Sequence, residues 1–281
     1  MEWFEAVILG IVQGLTEFLP VSSSGHLVIG RELLGIEASE DLVFEVTVHA
    51  ATVLSTIVVF RKQIWDLLKG LFRFRDRTAP AGTFRVNDET DYILKICLSM
   101  IPVFIVGVFF KDFVEGLFGS LWSVGAALMV TAVLLFFSDM ASGPRSSSAC
   151  RCPSYRNGIS YWQAFAVGLG QAFAVAPGLS RSGTTIATGL ICGVRRDVMA
   201  QFSFLMVLVP ILGETFLQIV GGDIAGSSIG WLPLLLGFLS AFVSGLFACR
   251  VMIALVRKAS LKWFALYCAV VGTGIIVYMF V

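Results

Sequence analysis

Charge is scarce in this sequence: 14% of its 281 residues are Asp, Glu, Lys or Arg, and there are two histidines. That share excludes an ordinary water-soluble domain, where about a quarter of residues are charged. The formal net charge is +1, so composition gives no ground for a nucleic-acid partner. Cysteine is sparse as well, with six residues at 97, 150, 152, 192, 249 and 268. Four of them lie inside apolar runs, where a thiol behaves as a small hydrophobe, and no disulfide framework is expected. Cys150 and Cys152 form a lone Cys-x-Cys in a polar stretch without a matching pair or a nearby histidine, so no metal site is expected there. A basic amino-terminal cluster is also missing. The chain opens with Glu2 and Glu5, so no cleaved signal peptide is expected and the amino terminus reads as part of the mature fold.

What the sequence has in abundance is apolar surface. Hydrophobic residues make up 57% of the chain, with 24 Phe and 28 Gly, a pairing suited to helices that face lipid on one side and pack closely on the other. A bilayer-crossing helix needs about 20 mostly apolar residues. Six stretches meet or approach that: 44–60, 93–110, 121–138, 202–221, 231–255 and 263–281. Two more apolar regions, 4–31 and 162–193, are interrupted near their middles by Pro, Gly, hydroxyl residues and a charge. Irregular backbone at membrane depth is tolerated only where protein or a watery cavity surrounds it. Both regions are therefore expected to be re-entrant hairpins of helix, break and helix, giving an all-α integral membrane fold of six transmembrane helices plus two hairpins. The length suits one membrane domain over 1–281.

Basic residues test that layout, because Lys and Arg near span ends concentrate on the cytoplasmic side. With the amino terminus outside and both hairpins re-entrant, fifteen basic residues fall inside, and only Arg31 and Lys111 fall outside. If either hairpin crossed the membrane once, every later loop would change sides and the bias would collapse. The loop 32–41 then faces outside with four acids, Glu32, Glu37, Glu40 and Asp41. The mixed basic and apolar stretch 61–77 is expected to lie along the inner surface as an interfacial helix.

Sliding the sequence by 158 positions aligns Gly10 with Gly168, Gln13 with Gln171, Ser22 with Ser180, Ser24 with Ser182, Gly25 with Gly183, Gly35 with Gly193 and Phe44 with Phe202. Each half is a hairpin followed by three spans. The expected pseudo-repeats are 1–140 and 160–281, joined by a cytoplasmic loop at 139–161. The first hairpin would enter from outside and the second from inside, so the halves form an inverted-topology repeat. Such repeats place a site near the midplane, where their broken helices meet.

The polar residues of the two breaks carry the candidate chemistry. The first break reads QGLTEFLPVSSSGH over 13–26. Gln13 and Glu17 are four apart and share a helix face. A carboxylate at membrane depth costs at least about 2.5 kcal/mol unless compensated, so Glu17 needs a cation, a proton or an arginine. Ser22, Ser23 and Ser24 offer hydroxyls that can donate to phosphate or act as nucleophile. His26 carries an imidazole able to take and return a proton near neutrality. The second break reads PGLSRSGTT over 177–185. Its one basic residue, Arg181, is flanked by Ser180 and Ser182, with Thr184, Thr185 and a helix N-terminus beyond. That combination describes an oxyanion cradle, and phosphate is the ligand it suits. A buried ion pair between Glu17 and Arg181 is the structural alternative. Glu45 and His49 lie at the outer start of the first full span, and His49 reads as packing or interfacial. Glu214, inside the fourth span, stays secondary.

The two segments QGLTEFLPVSSSGH and PGLSRSGTT, the intervening FEV at 44–46 and the repeat resemble the undecaprenyl-diphosphate phosphatase family of the bacitracin-resistance type, over essentially the whole chain. The resemblance implies a bacterial inner-membrane enzyme whose site opens to the extracytoplasmic side. It implies hydrolysis of undecaprenyl diphosphate to undecaprenyl phosphate and inorganic phosphate, which recycles the carrier lipid of the cell wall and confers bacitracin resistance. The family's hydroxyl, His and Arg positions fall on Ser23, Ser24, His26, Ser180, Arg181, Ser182 and Thr185. Its first motif, Glu or Gln, three residues and Glu, falls on Gln13 and Glu17, and the amide in place of a second acid puts a two-carboxylate metal site in doubt. On this reading Arg181, Ser24, Ser180, Ser182 and Thr185 hold the diphosphate, while Glu17 and Gln13 hold Mg²⁺ or Ca²⁺. Ser23, slightly favoured over water, attacks with His26 as general base. A transporter or lipid flippase is the rival, since inverted repeats with broken helices are common in transporters. A homodimer is compatible with the sequence.

Overall fold

The computed structural model describes residues 1–36, 41–72, 86–110, 121–141, 158–176, 178–221, 229–258 and 260–280. Ten helices run through them: α1 (Trp3–Thr16), α2 (Ser23–Leu34), α3 (Asp41–Phe72), α4 (Asp88–Phe109), α5 (Leu121–Ala141), α6 (Tyr161–Phe173), α7 (Arg181–Ile191), α8 (Arg196–Gly221), α9 (Trp231–Lys258) and α10 (Lys262–Tyr278). Helices α3, α4, α5, α8 and α9 are long and apolar enough to cross a membrane, and α10 is an apolar helix of 17 residues. The chain is thus an all-helical, multi-pass membrane protein. Most of the loop expected at 139–161, with Cys150 and Cys152, lies outside the described residues, as do Glu37, Glu40, Lys111 and the side chain of Glu214.

Both interrupted regions fold as helix, break and helix. At 1.5 Å per residue, α1 and α2 reach about 21 and 18 Å, and α6 and α7 about 20 and 17 Å. Each is short of the ~30 Å hydrocarbon layer. Sequence chemistry sets their starts. Ser22 caps α2, its Oγ accepting from Gly25 N at 3.2 Å, and Ser180 caps α7 in the same way through Gly183 N at 3.0 Å. Helix α6 opens on a reciprocal box in which Ser160 and Gln163 each bond the other's backbone.

One expectation is corrected. Residues 61–72 do not form a separate interfacial helix. They continue α3 without interruption, because nothing between Phe60 and Gly70 breaks a helix and the run is rich in Arg, Lys, Gln and Leu. Asn87 Nδ2 and Thr90 Oγ1, at the start of α4, donate to the Gly70 carbonyl and clamp that extension.

Close backbone contact joins the hairpins to the spans. A side chain on Gly10 or Gly14 of α1 would collide with Ser240, Ser244 and carbonyls of α9, and one on Gly168 of α6 would strike the Ser99 carbonyl of α4. These small residues let helices approach where lipid supplies no hydrophobic drive. Helix α1 packs on α9 and α6 on α4, α3 on α9 and α8 on α4, and α1 on α2 and α6 on α7; α3 meets α8, and α5 meets α10. Exchanging the first five helices for the last five maps the first six of these pairings onto one another and the last two onto themselves, whereas the packing of α5 and α8 on α7 has no counterpart of similar extent at α2. The core gathers Phe18 and Val21 of the first break with Val53, Leu128, Ile186, Phe202, Phe204 and Met252. Trp3, Trp122, Trp162, Trp231 and Trp263 stand exposed within the first two residues of their helices, as indoles do at a membrane-water boundary.

Candidate active site

The two breaks meet. Ser182 Oγ donates to the Leu19 carbonyl at 3.2 Å, a Cβ on Gly183 would lie 3.2 Å from Pro20 Cβ, and one on Gly25 would lie 3.5 Å from Gly178 Cα. Ser22, at φ 70°, is the one non-glycine residue with positive φ among those described. That turn, held by its cap bond, is what aims the start of α2 back toward α1.

Glu17 ends α1 and sits at the junction, its side chain 7% exposed. Oε2 accepts from Gln13 Nε2 at 2.9 Å and from Ser23 Oγ at 2.5 Å. Oε1 lies 4.0 Å from Arg181 Nη2. Ser23 and Arg181 are each the first residue of the helix after a break, so the positive ends of two helix dipoles converge with a guanidinium on one carboxylate. A cavity enclosing about 370 Å³ of empty space, its open mouth included, adjoins them. Glu17, Arg181, Ser182, Thr52 and Thr56 give it a polar end, and Val53, Val207, Leu208 and Ile211 an apolar flank.

The remaining expected residues take distinct places. Gln13 is fully buried, and its Oε1 has no hydrogen-bond partner. Ser24 is half-buried, 3.4 Å from Ser22 Oγ. Ser180 is buried as the cap, and Thr185 is buried with Oγ1 engaged by the Arg181 and Ser182 carbonyls and by Ser203 Oγ at 2.6 Å. Both brace the turn that presents Arg181. His26, expected as the base on Ser23, has both ring nitrogens elsewhere: Nδ1 lies 2.7 Å from the Ser22 carbonyl and Nε2 2.8 Å from the Tyr267 hydroxyl, with the two rings stacked. The group on the Ser23 hydroxyl is Glu17.

The histidine that reaches the carboxylate is His49, read from sequence as packing. Its Nε2 is 3.8 Å from Glu17 Oε2 and 3.4 Å from Arg181 Nη2. A signal for it exists: Glu45, His49, Thr52 and Thr56 recur at helical spacing, a polar stripe on an otherwise apolar span. Among the described residues no cluster of three or more His, Cys, Asp or Glu is arranged to hold a metal. One carboxylate and the orphan Gln13 oxygen nevertheless fit a hard cation that takes its other ligands from a phosphate substrate.

Known proteins match this chain along nearly all its length. The family model described as bacitracin resistance protein BacA covers residues 6–274. An undecaprenyl-diphosphatase of Bacteroides fragilis is 52% identical over 99% of this chain and 98% of its own. One from Parabacteroides distasonis is 53% identical over 97% and 96%, and one from Bacteroides thetaiotaomicron 51% identical over 99% of each. With both breaks and their site contained in the matched residues, the chain belongs to the bacitracin resistance protein BacA family.

Proposed function

We propose that this protein hydrolyses undecaprenyl diphosphate to undecaprenyl phosphate and inorganic phosphate. The convergence of Glu17, Ser23 and Arg181 at the meeting of the two breaks is the observation that carries the reading. A nucleophile already bonded to a carboxylate, facing a guanidinium and two helix N-termini, suits attack on a phosphoanhydride.

In the first step Ser23 Oγ attacks the terminal phosphorus as its proton passes to Glu17 Oε2. The Oγ–P bond forms, the anhydride P–O bond breaks, and undecaprenyl phosphate leaves with the bonding pair. Arg181, Ser182 and Ser24 offset charge on the phosphoryl oxygens, and Ser180 and Thr185 hold the turn in place. In the second step water attacks the phosphoserine and gives its proton to His26. Glu17 returns its proton to Oγ as the Oγ–P bond breaks, and inorganic phosphate is released. The Ser22 carbonyl keeps the His26 proton on Nδ1, so Nε2 is the accepting atom once the attacking water replaces the Tyr267 hydroxyl on it. Glu17 and Gln13 Oε1 would hold Mg²⁺ or Ca²⁺, whose charge neutralises the diphosphate.

The short reach of all four hairpin helices and the fifteen-to-two bias of basic residues support two re-entrant hairpins in inverted halves, with the amino terminus outside and six spans. The helix pairings that map onto one another under exchange of the halves support the same plan. The site then opens to the extracytoplasmic side of the bacterial inner membrane, with the prenyl chain in lipid. Purified protein in detergent, where no compartments exist, is expected to release phosphate from undecaprenyl diphosphate, and its Glu17→Ala variant to release none. Binding of the lipid without phosphate release by the unaltered protein would refute the reading.

A further inference from the structure

His49 lies in neither break, yet it reaches the centre from α3. The Glu45 carbonyl is 2.9 Å from its Nδ1. A carbonyl can only accept, so that bond places the ring proton on Nδ1 and leaves Nε2 with a lone pair. This lone pair faces Arg181 Nη2 at 3.4 Å, and a guanidinium can only donate. The neighbouring Glu17 Oε2, at 3.8 Å, is beyond hydrogen-bond reach and already accepts from Gln13 and Ser23. The pairing with Arg181 is long, as such bonds often are before substrate tightens them.

We propose that His49 is a positioning residue for Arg181: its Nε2 accepts from the guanidinium and fixes the direction in which that group presents its remaining donors to the diphosphate. The role rests on the phosphatase reading above. It follows from the side chain's chemistry. Arg181 has several donors, a long flexible stem and a carboxylate 4.0 Å away on one side. A carboxylate alone would draw it toward Glu17 and away from the substrate, and an acceptor on α3 provides a second anchor. His49 is itself only 12% exposed, and two turns of helix hydrogen-bonding to either side hold it.

The test uses the full chain in detergent, with phosphate release from undecaprenyl diphosphate and, separately, calorimetric binding of inorganic pyrophosphate. His49→Leu keeps the volume and removes the acceptor; kcat/KM is expected to fall about 10-fold and pyrophosphate binding to weaken by a similar factor. His49→Gln, whose amide oxygen can accept in the same place, recovers most of both losses. In an Arg181→Lys background His49→Leu costs less than about 2-fold further, because the planar group it aims is gone. Equal losses in His49→Leu and His49→Gln, or a full 10-fold loss in the lysine background, would overturn the role and leave the phosphatase reading standing. Pyrophosphate binding that depends on His49 in a protein releasing no phosphate would sink the phosphatase reading and keep the role.

Discussion

Ser23 Oγ donates to Glu17 Oε2 at 2.5 Å across the first break. The five intervening residues turn the chain so that a helix-ending carboxylate meets the first hydroxyl of the next helix. On the covalent route, acid quench during turnover traps phosphoserine at residue 23, detectable by mass spectrometry of the peptide. Ser23→Ala is then expected to lose at least ~10³-fold in kcat. Full turnover by that variant would mean that water attacks directly.

On the proposed reading Arg181 spans a phosphoryl group with a planar, forked donor. Arg181→Lys retains the charge but loses the fork, and a fall of about 10²-fold in kcat/KM is expected, with Arg181→Ala worse by a further factor of ~10. Steady-state kinetics in detergent measure both. A lysine variant equal to the natural protein would show that charge alone suffices.

Gly14 faces Ser244 and the Ala241 carbonyl with no room for a Cβ, whereas nothing lies within 4 Å of a Cβ at Gly107. Gly14→Val is therefore expected to force α1 off α9 and cost roughly 1–3 kcal/mol. Its melting midpoint falls, while Gly107→Ala melts at or slightly above the natural protein. Fluorescence-monitored thermal unfolding separates the two.

Much of this arrangement was legible in the sequence because its causes are local. Pro, Gly and serine clusters inside apolar runs mark breaks, although Ser22 and Ser180, which read as hydroxyl donors to a phosphate, serve as caps that accept from backbone N–H groups. Glu17 and Arg181 stood out because charge at membrane depth demands a partner. What stayed hidden depends on three-dimensional approach. His26 reads as the base on Ser23 until the fold gives that hydroxyl to Glu17 and sets Tyr267, 241 residues away, beside Nε2. His49 reads as packing until α3 brings it beside Arg181, 132 residues on. The continuation of α3 to Phe72 is masked by an amphipathic composition that suits an interfacial helix as well as an extended span.

Gln13 Oε1, on the side chain that donates to Glu17, is buried with no hydrogen-bond partner among the described residues. Chelation of divalent ions is expected to abolish phosphate release, and Mg²⁺ or Ca²⁺ to restore it. Gln13→Glu adds a second carboxylate, so half-maximal activation is expected at about 10-fold lower metal concentration. Activity that survives chelation would remove the cation from the mechanism.

The most direct test of a single centre built from both hairpins is a cycle of Glu17→Ala, Arg181→Ala and the double variant, scored by phosphate release from undecaprenyl diphosphate. Residues acting as one unit are strongly non-additive, so the double variant is expected to be no more than about 10-fold slower than the slower single one. Losses that multiply in full would show two groups working independently, and the shared centre would not stand.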